Sequence, residues 1–240
     1  MPPPQNHEIH LWTIGPDAIT AAPDALPLAG CPLSPEEKDR LQRFHFAKDR
    51  RLYLLSHVLL RQTLSHYLGI PPDELRFIPN SWGKPFLPPG QNTADLDFNL
   101  SHTSTFIALA IRRGGPIGVD VERLDRQARL LDICERFFSP TEAADLRAAP
   151  SEQQPRLFFQ YWTLKESYIK ARGKGLSLPL DQFTIRLQSP EKATVSFPPQ
   201  PGDTPEAWHF RLLHPGPEHL IALCVKTLQP ELIQIHHHPA

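Results

Sequence analysis

The chain has 240 residues, of which 40% are hydrophobic, and a formal net charge of −1. That length can bury a substantial core, in one large domain or two small ones. A balance so near zero gives no global field to draw nucleic acid or an anionic membrane, and no apolar run is long enough to span a bilayer, so neither is expected as a partner.

The opening residues lack the basic and apolar regions of a signal peptide, so a cytoplasmic protein is expected. Residues 8–14 alternate in polarity and predict a first strand. A Pro- and Ala-rich connector is expected to about residue 33. Ser34-Pro-Glu-Glu37 then starts a helix: the serine caps, proline takes the first helical position and Glu37 closes a capping box. That helix runs into Arg40 and Arg43. A second helix is predicted from about Asp49 to Leu68, stopping at Gly69, with Leu52, Leu55, Val58 and Leu59 as its apolar stripe. Strands are expected at 75–78, 96–100 and 106–111. In Gly118-Val-Asp-Val-Glu122 apolar and acidic residues alternate, so Val119 and Val121 face a core while Asp120 and Glu122 share the other face. Ser139-Pro-Thr-Glu142 is a second capping box. A longer helix is predicted at 155–171, ending near Gly173, with Phe158, Trp162, Ile169 and either Tyr161 or Lys165 at helical spacing. Strands follow at 183–187, 194–197, 208–213 and 220–225. The three cysteines, Cys31, Cys134 and Cys224, are odd in number and lack metal-ligand spacing, which points to reduced thiols. His236-His-His reads as a short exposed tail rather than a metal site.

The order of elements repeats, and so does some local wording. Asp97-Phe-Asn-Leu-Ser-His102 and Phe106-Ile-Ala-Leu-Ala-Ile111 stand against His209-Phe-Arg-Leu-Leu-His214 and Leu220-Ile-Ala-Leu-Cys-Val225. Two α+β halves of about 115 residues, residues 1–115 and 116–240, are the economical reading, with chance similarity as its rival.

Chemistry concentrates in the second half. Glu166 and Lys170, four apart, project from one side of the long helix. Taken singly, such a pair is usually solvated and an Asp-x-Glu strand is usually an exposed edge. Brought together, Asp120, Glu122 and Glu166 make three carboxylates beside one lysine. They would repel unless a hard divalent cation lay between them, which suits Mg²⁺ and substrate phosphates.

Gly118-Val-Asp120 followed by Trp162-Thr-Leu-Lys-Glu-Ser-Tyr-Ile-Lys170 resembles the two-part signature of the 4′-phosphopantetheinyl transferases. Glu122 and the chain length resemble the surfactin-type branch, in which one chain carries the whole site. Phe137-Phe-Ser-Pro-Thr-Glu142 and Gly173-Lys-Gly-Leu-Ser-Leu-Pro-Leu180 resemble the flanking segments. The resemblance implies a pseudo-twofold pair of similar subdomains, each with helices on a small antiparallel sheet, and an active cleft between them. A monomer is expected, since two halves make one cleft.

It further implies transfer of 4′-phosphopantetheine from coenzyme A to a serine of an apo acyl or peptidyl carrier protein, releasing 3′,5′-ADP. Asp120, Glu122 and Glu166 would hold Mg²⁺, or Mn²⁺ in its place. Lys170 would offset charge on the pyrophosphate or leaving group, and either Glu166 or a metal-bound water would take the serine proton. Trp82-Gly-Lys-Pro85 resembles the family's Gly-Lys-Pro turn and places Lys84 at the nucleotide. Asn99-Leu-Ser-His102 resembles its Asn-x-Ser-His segment, which puts Ser101 and His102 at the 3′-phosphate and adenine. Arg40 falls where the family often carries a basic phosphate ligand. Metal-dependent phosphoryl or nucleotidyl transfer to a small molecule would also explain the carboxylates and lysine. It would not explain the Ser-His and Gly-Lys-Pro elements.

Overall fold

Alternating polarity makes Glu8–Ile14 a strand, β1. The computed structural model describes residues 1–21, 31–125, 130–198 and 203–239, except the Leu176 side chain. The expected Pro- and Ala-rich connector begins as a short helix, α1 (Pro16–Ala21), and its residues 22–30 lie outside the described ones. The chain divides into two compact units. One comprises Met1–Asn80, Pro85–Gly114 and Ile233–Ala240; the other comprises Ser81–Lys84 and Gly115–Leu232.

In the first unit, both halves of the predicted capping box form. Glu37 N–H donates to Ser34 Oγ (3.3 Å) and Ser34 N–H to Glu37 Oε2 (3.0 Å), starting α2 (Pro35–Gln42). Helix α3 (Ala47–Leu68) starts two residues before its predicted position and ends at Gly69, whose φ of 66° is a left-handed conformation that glycine adopts without strain. Strands β2 (Ile78–Pro79) and β3 (Pro85–Phe86) make a two-stranded ribbon, all that remains of the strand expected at 75–78. Strands β4 (Leu96–His102), β5 (Ile107–Arg113) and, far along the chain, β11 (Gln234–Pro239) complete a sheet in the order β11-β1-β5-β4. Leu52, Leu59, Leu60 and Leu64 of α3 pack on Phe98, Ile107, Leu109 and Ile111 of that sheet.

Strand β11 corrects two expectations. Residues 233–240 belong to the first unit and not to the half that holds residue 116. His236–His238 form a strand and not a tail, because β11 pairs parallel with β1; His236 and His237 are exposed as expected, while His238 is half-buried, its ring stacked 4.6 Å from Trp12. Parallel pairing joins segments far apart in sequence, so no local turn signal announces it.

The second unit has strands β6 (Ile117–Arg123), β9 (Trp208–Gly216) and β10 (His219–Lys226) in the order β6-β10-β9, beside a ribbon of β7 (Thr184–Leu187) and β8 (Ala193–Ser196). Helix α4 (Leu130–Phe137) was not predicted. The second capping box starts α5 (Pro140–Ala148), and α6 (Gln154–Arg172) ends at Gly173, φ 62°. Phe158, Leu164 and Tyr168 of α6 share a core with Phe210, Leu212, Leu220, Ala222 and Cys224. The order β6-β10-β9 matches β1-β5-β4, and each sheet carries a long helix that ends in a left-handed glycine. This is the expected α+β class, with two similarly built subdomains.

Candidate active site

At Gly118 the strand β6 and the helix α6 of the second unit approach closely. A Cβ placed there would stand 2.0 Å from the Ser167 carbonyl oxygen and 2.5 Å from the Ala171 amide nitrogen. Side chains alternate along a strand, so Asp120 shares the face that meets α6. Lys170, on the last turn of α6, reaches back to it, and its Nζ lies 2.6 Å from Asp120 Oδ1. Asp120 is only 4% exposed, so it is not the open cleft carboxylate that the strand pattern suggests. Val119 and Val121, on the opposite face of β6, are buried as predicted.

Glu166 lies one turn before Lys170 on the same side of α6. Burial first, and the Asp120 carboxylate second, push its pKa above the usual carboxylate range, while the Lys170 ammonium pulls it down. The two carboxylates therefore feel one another. The expected group of three does not assemble: among the described residues, no three His, Cys, Asp or Glu side chains are arranged to hold a metal ion. Like charges repel, and Lys170 already supplies a counter-charge to Asp120. Two coupled oxygen donors still suit a hard cation such as Mg²⁺, which typically uses one or two carboxylates, waters and substrate phosphates.

Lys84 belongs to this same unit, and its Nζ donates to the Ile117 carbonyl at 3.0 Å, at the start of β6. The carbonyl oxygen of its neighbour Trp82 would stand 3.6 Å from a Cβ on Gly175. The Gly-Lys-Pro turn is thus packed beside the Gly173-Lys-Gly175 loop. Ser101 and His102, at the end of β4, pair with Ala108 and Ile107 of β5, with Ser101 buried and His102 exposed. Arg40 is exposed on α2, its guanidinium 5.5 Å from the centre of the Tyr53 ring. These three belong to the first unit, whereas the carboxylates, Lys84 and Lys170 belong to the second.

Comparison with known proteins bears on both units. Residues 116–224 match the 4′-phosphopantetheinyl transferase superfamily, and residues 21–113 match the N-terminal region of a 4′-phosphopantetheinyl transferase. A 4′-phosphopantetheinyl transferase of Bacillus subtilis is 35% identical over 192 residues, covering 80% of this chain and 81% of its own. The chain belongs to the 4′-phosphopantetheinyl transferases. The transferase Sfp of B. subtilis strain 168 is 34% identical over the same shares of the two chains. HetI of Nostoc sp. strain PCC 7120 is 35% identical over 218 residues, covering 91% of this transferase and 87% of its own length.

Two features of this transferase's site were not assigned from sequence. One is the close approach at Gly118, whose signal was only a glycine between the β-branched Ile117 and Val119. The other is Lys165, whose role the helical spacing left open and whose side chain is fully buried. Among the described residues no helix is long and apolar enough to cross a membrane.

Proposed function

We propose that the chain uses Asp120, Glu166 and Lys170 to transfer 4′-phosphopantetheine from coenzyme A to a serine of an acyl or peptidyl carrier protein. The observation that carries this reading is the part-buried Asp120–Lys170 pair beside a carboxyl of raised proton affinity, in a member of this family. Asp120 and Glu166 would hold Mg²⁺, which would offset charge on the pyrophosphate when bound. The carrier's serine oxygen forms a bond to the phosphorus that bears pantetheine. The bond from that phosphorus to its bridging oxygen breaks, and 3′,5′-ADP leaves. Glu166, or a water beside it, takes the serine proton. Lys170 balances negative charge on the departing phosphate. Lys84, Ser101, His102 and Arg40 would recognise the nucleotide and its 3′-phosphate.

All assigned residues come from one chain, which we take to act as a monomer. Weighing an apo carrier protein after incubation with the enzyme, coenzyme A and Mg²⁺ tests the reading. A holo carrier and one equivalent of 3′,5′-ADP are expected. An unmodified carrier, with ADP or AMP formed from a nucleoside triphosphate and a small acceptor, would replace it with small-molecule phosphoryl or nucleotidyl transfer.

A further inference from the structure

Lys165 stands next to Glu166, yet its surroundings leave it nothing to offer a substrate. Its side chain and that of Glu142 are both fully buried, with Nζ 2.8 Å from Glu142 Oε2. The same nitrogen donates to the carbonyls of Leu180 (2.6 Å) and Phe183 (2.7 Å). An ammonium has three protons and all three are placed. Glu142 is equally occupied: Oε2 also accepts from Ser139 N–H (2.8 Å), and Oε1 accepts from Ile185 N–H (2.6 Å). The Phe183 ring covers the ammonium, with its centroid 4.2 Å away. One charged pair thus ties α6 to the start of α5 and to the segment 180–185.

Resting on the transferase reading above, we infer that Lys165 is a positioning residue, which with Glu142 fixes the rotation of α6 that turns Glu166 and Lys170 toward Asp120. Successive residues on a helix lie about 100° apart. A side chain held at 165 by three directional bonds therefore sets the direction of residue 166, and of residue 170 one turn on. Apolar contacts alone would tolerate a small roll or slide of α6, because they are non-directional. A saturated polar network has one arrangement and resists it.

The test replaces both charges together, since removing one partner would strand the other in the core. The Lys165→Met/Glu142→Gln double variant is compared with wild type for melting temperature, coenzyme A affinity by calorimetry, and kcat and KM in carrier modification. A second variant, Glu142→Asp, keeps the charge and shortens the arm by one methylene. The expected result is a folded double variant with coenzyme A affinity and KM within about twofold of wild type. Its kcat should fall on the order of 10²-fold, as for a misplaced reacting group, and that of Glu142→Asp by less.

A folded double variant with wild-type kcat overturns the inference. A raised KM with kcat kept also overturns it, since Lys165 would then be binding the donor. If the double variant does not fold, Glu142→Asp decides by the same two criteria. Glu166→Gln serves as the control in the same assay. If it too keeps full turnover, the reading of the site fails; if it is inactive while the Lys165 and Glu142 variants are normal, only the positioning inference fails.

Discussion

Replacing Gly118 with alanine would add one methyl group at a close approach of β6 and α6. The added carbon would start 2.0 Å from the Ser167 carbonyl oxygen and 2.5 Å from the Ala171 amide nitrogen, where ordinary contact begins at 3.4 Å. Both obstacles are backbone atoms of a helix, so no side-chain rotation relieves them. Strand and helix must separate by about 1.4 Å for the methyl group to fit. Overpacking of this kind typically costs about 1–3 kcal/mol of stability. The larger effect falls on the chemistry, because Lys170 and Asp120 sit on the two elements forced apart and now lie 2.6 Å from each other. A misplacement of about 1 Å can cost on the order of 10²-fold in rate. Gly118→Ala should therefore melt several degrees lower and lose kcat on that scale, read from the initial rate of holo-carrier formation by mass spectrometry. A Gly118→Ala protein with an unchanged melting temperature and wild-type kcat would refute the close approach and the assignment built on it.

Asp120→Asn keeps the shape of a nearly buried side chain and removes its charge, so a folded protein with turnover reduced on the order of 10²–10³-fold is expected; normal turnover would contradict the assignment. Glu166→Gln should lose most activity, and a titration with Mg²⁺ divides its roles. A ligand defect is partly relieved by more metal, whereas loss of a proton acceptor is not. Coenzyme A and its 3′-dephospho form share the reacting centre, and a charge-assisted hydrogen bond contributes roughly 1.5–3 kcal/mol, or about 10–150-fold in affinity. The kcat/KM preference for coenzyme A should shrink in Lys84→Ala and His102→Ala; equal losses on both donors would mean that these residues shape the site without reading the phosphate.

Acid should loosen the first unit. The indole N–H of Trp12 is donor-only and lies 3.1 Å from the Tyr67 oxygen, which leaves the tyrosine proton to point at His10 Nδ1, 2.6 Å away. His10 is thereby held neutral among Glu8, Tyr67, His236 and His238. Burial chiefly lowers the pKa of His10 and of His238 below the ordinary value, with neighbouring histidines adding to it. Both states are neutral above about pH 6.5, where stability is full; below it the unfolded chain binds protons first, so stability falls until the folded-state pKa values are passed. Melting curves from about pH 7 to about pH 5 should show this loss, less steeply in His238→Gln.

The local signals were legible because their causes are local. Two Ser-Pro-x-Glu boxes, two terminal glycines and alternating strands each act within a few residues, and the elements they predict stand close to where expected, the strand at 75–78 excepted. The face that carries Asp120, and the one that carries Glu166 and Lys170, could likewise be read from strand and helix periods, whereas their joining in one site was implied by the family resemblance. What could not be read depends on partners distant in the chain. Lys165 carries a charge at a helix position that spacing alone offers equally to Tyr161, and its burial depends on Glu142 and on two carbonyls near residue 180. Glu122 has the right period, yet among the described residues no three-carboxylate group forms, because periodicity fixes a face and not a distance.

Strand β11 bears on the order in which the molecule is made. Its partner β1 leaves the ribosome ahead of the second unit, while residues 234–239 follow the whole of that unit. Until they arrive, β1 is the open border of a three-stranded sheet, with an unanswered row of backbone amides and carbonyls. Such a border can recruit a strand from another nascent chain. The stretch 115–232 carries nearly all of the second unit and can collapse before that border closes. Completion of the first unit is therefore a late, long-range event, and shortening the chain before residue 234 would leave the border permanently open.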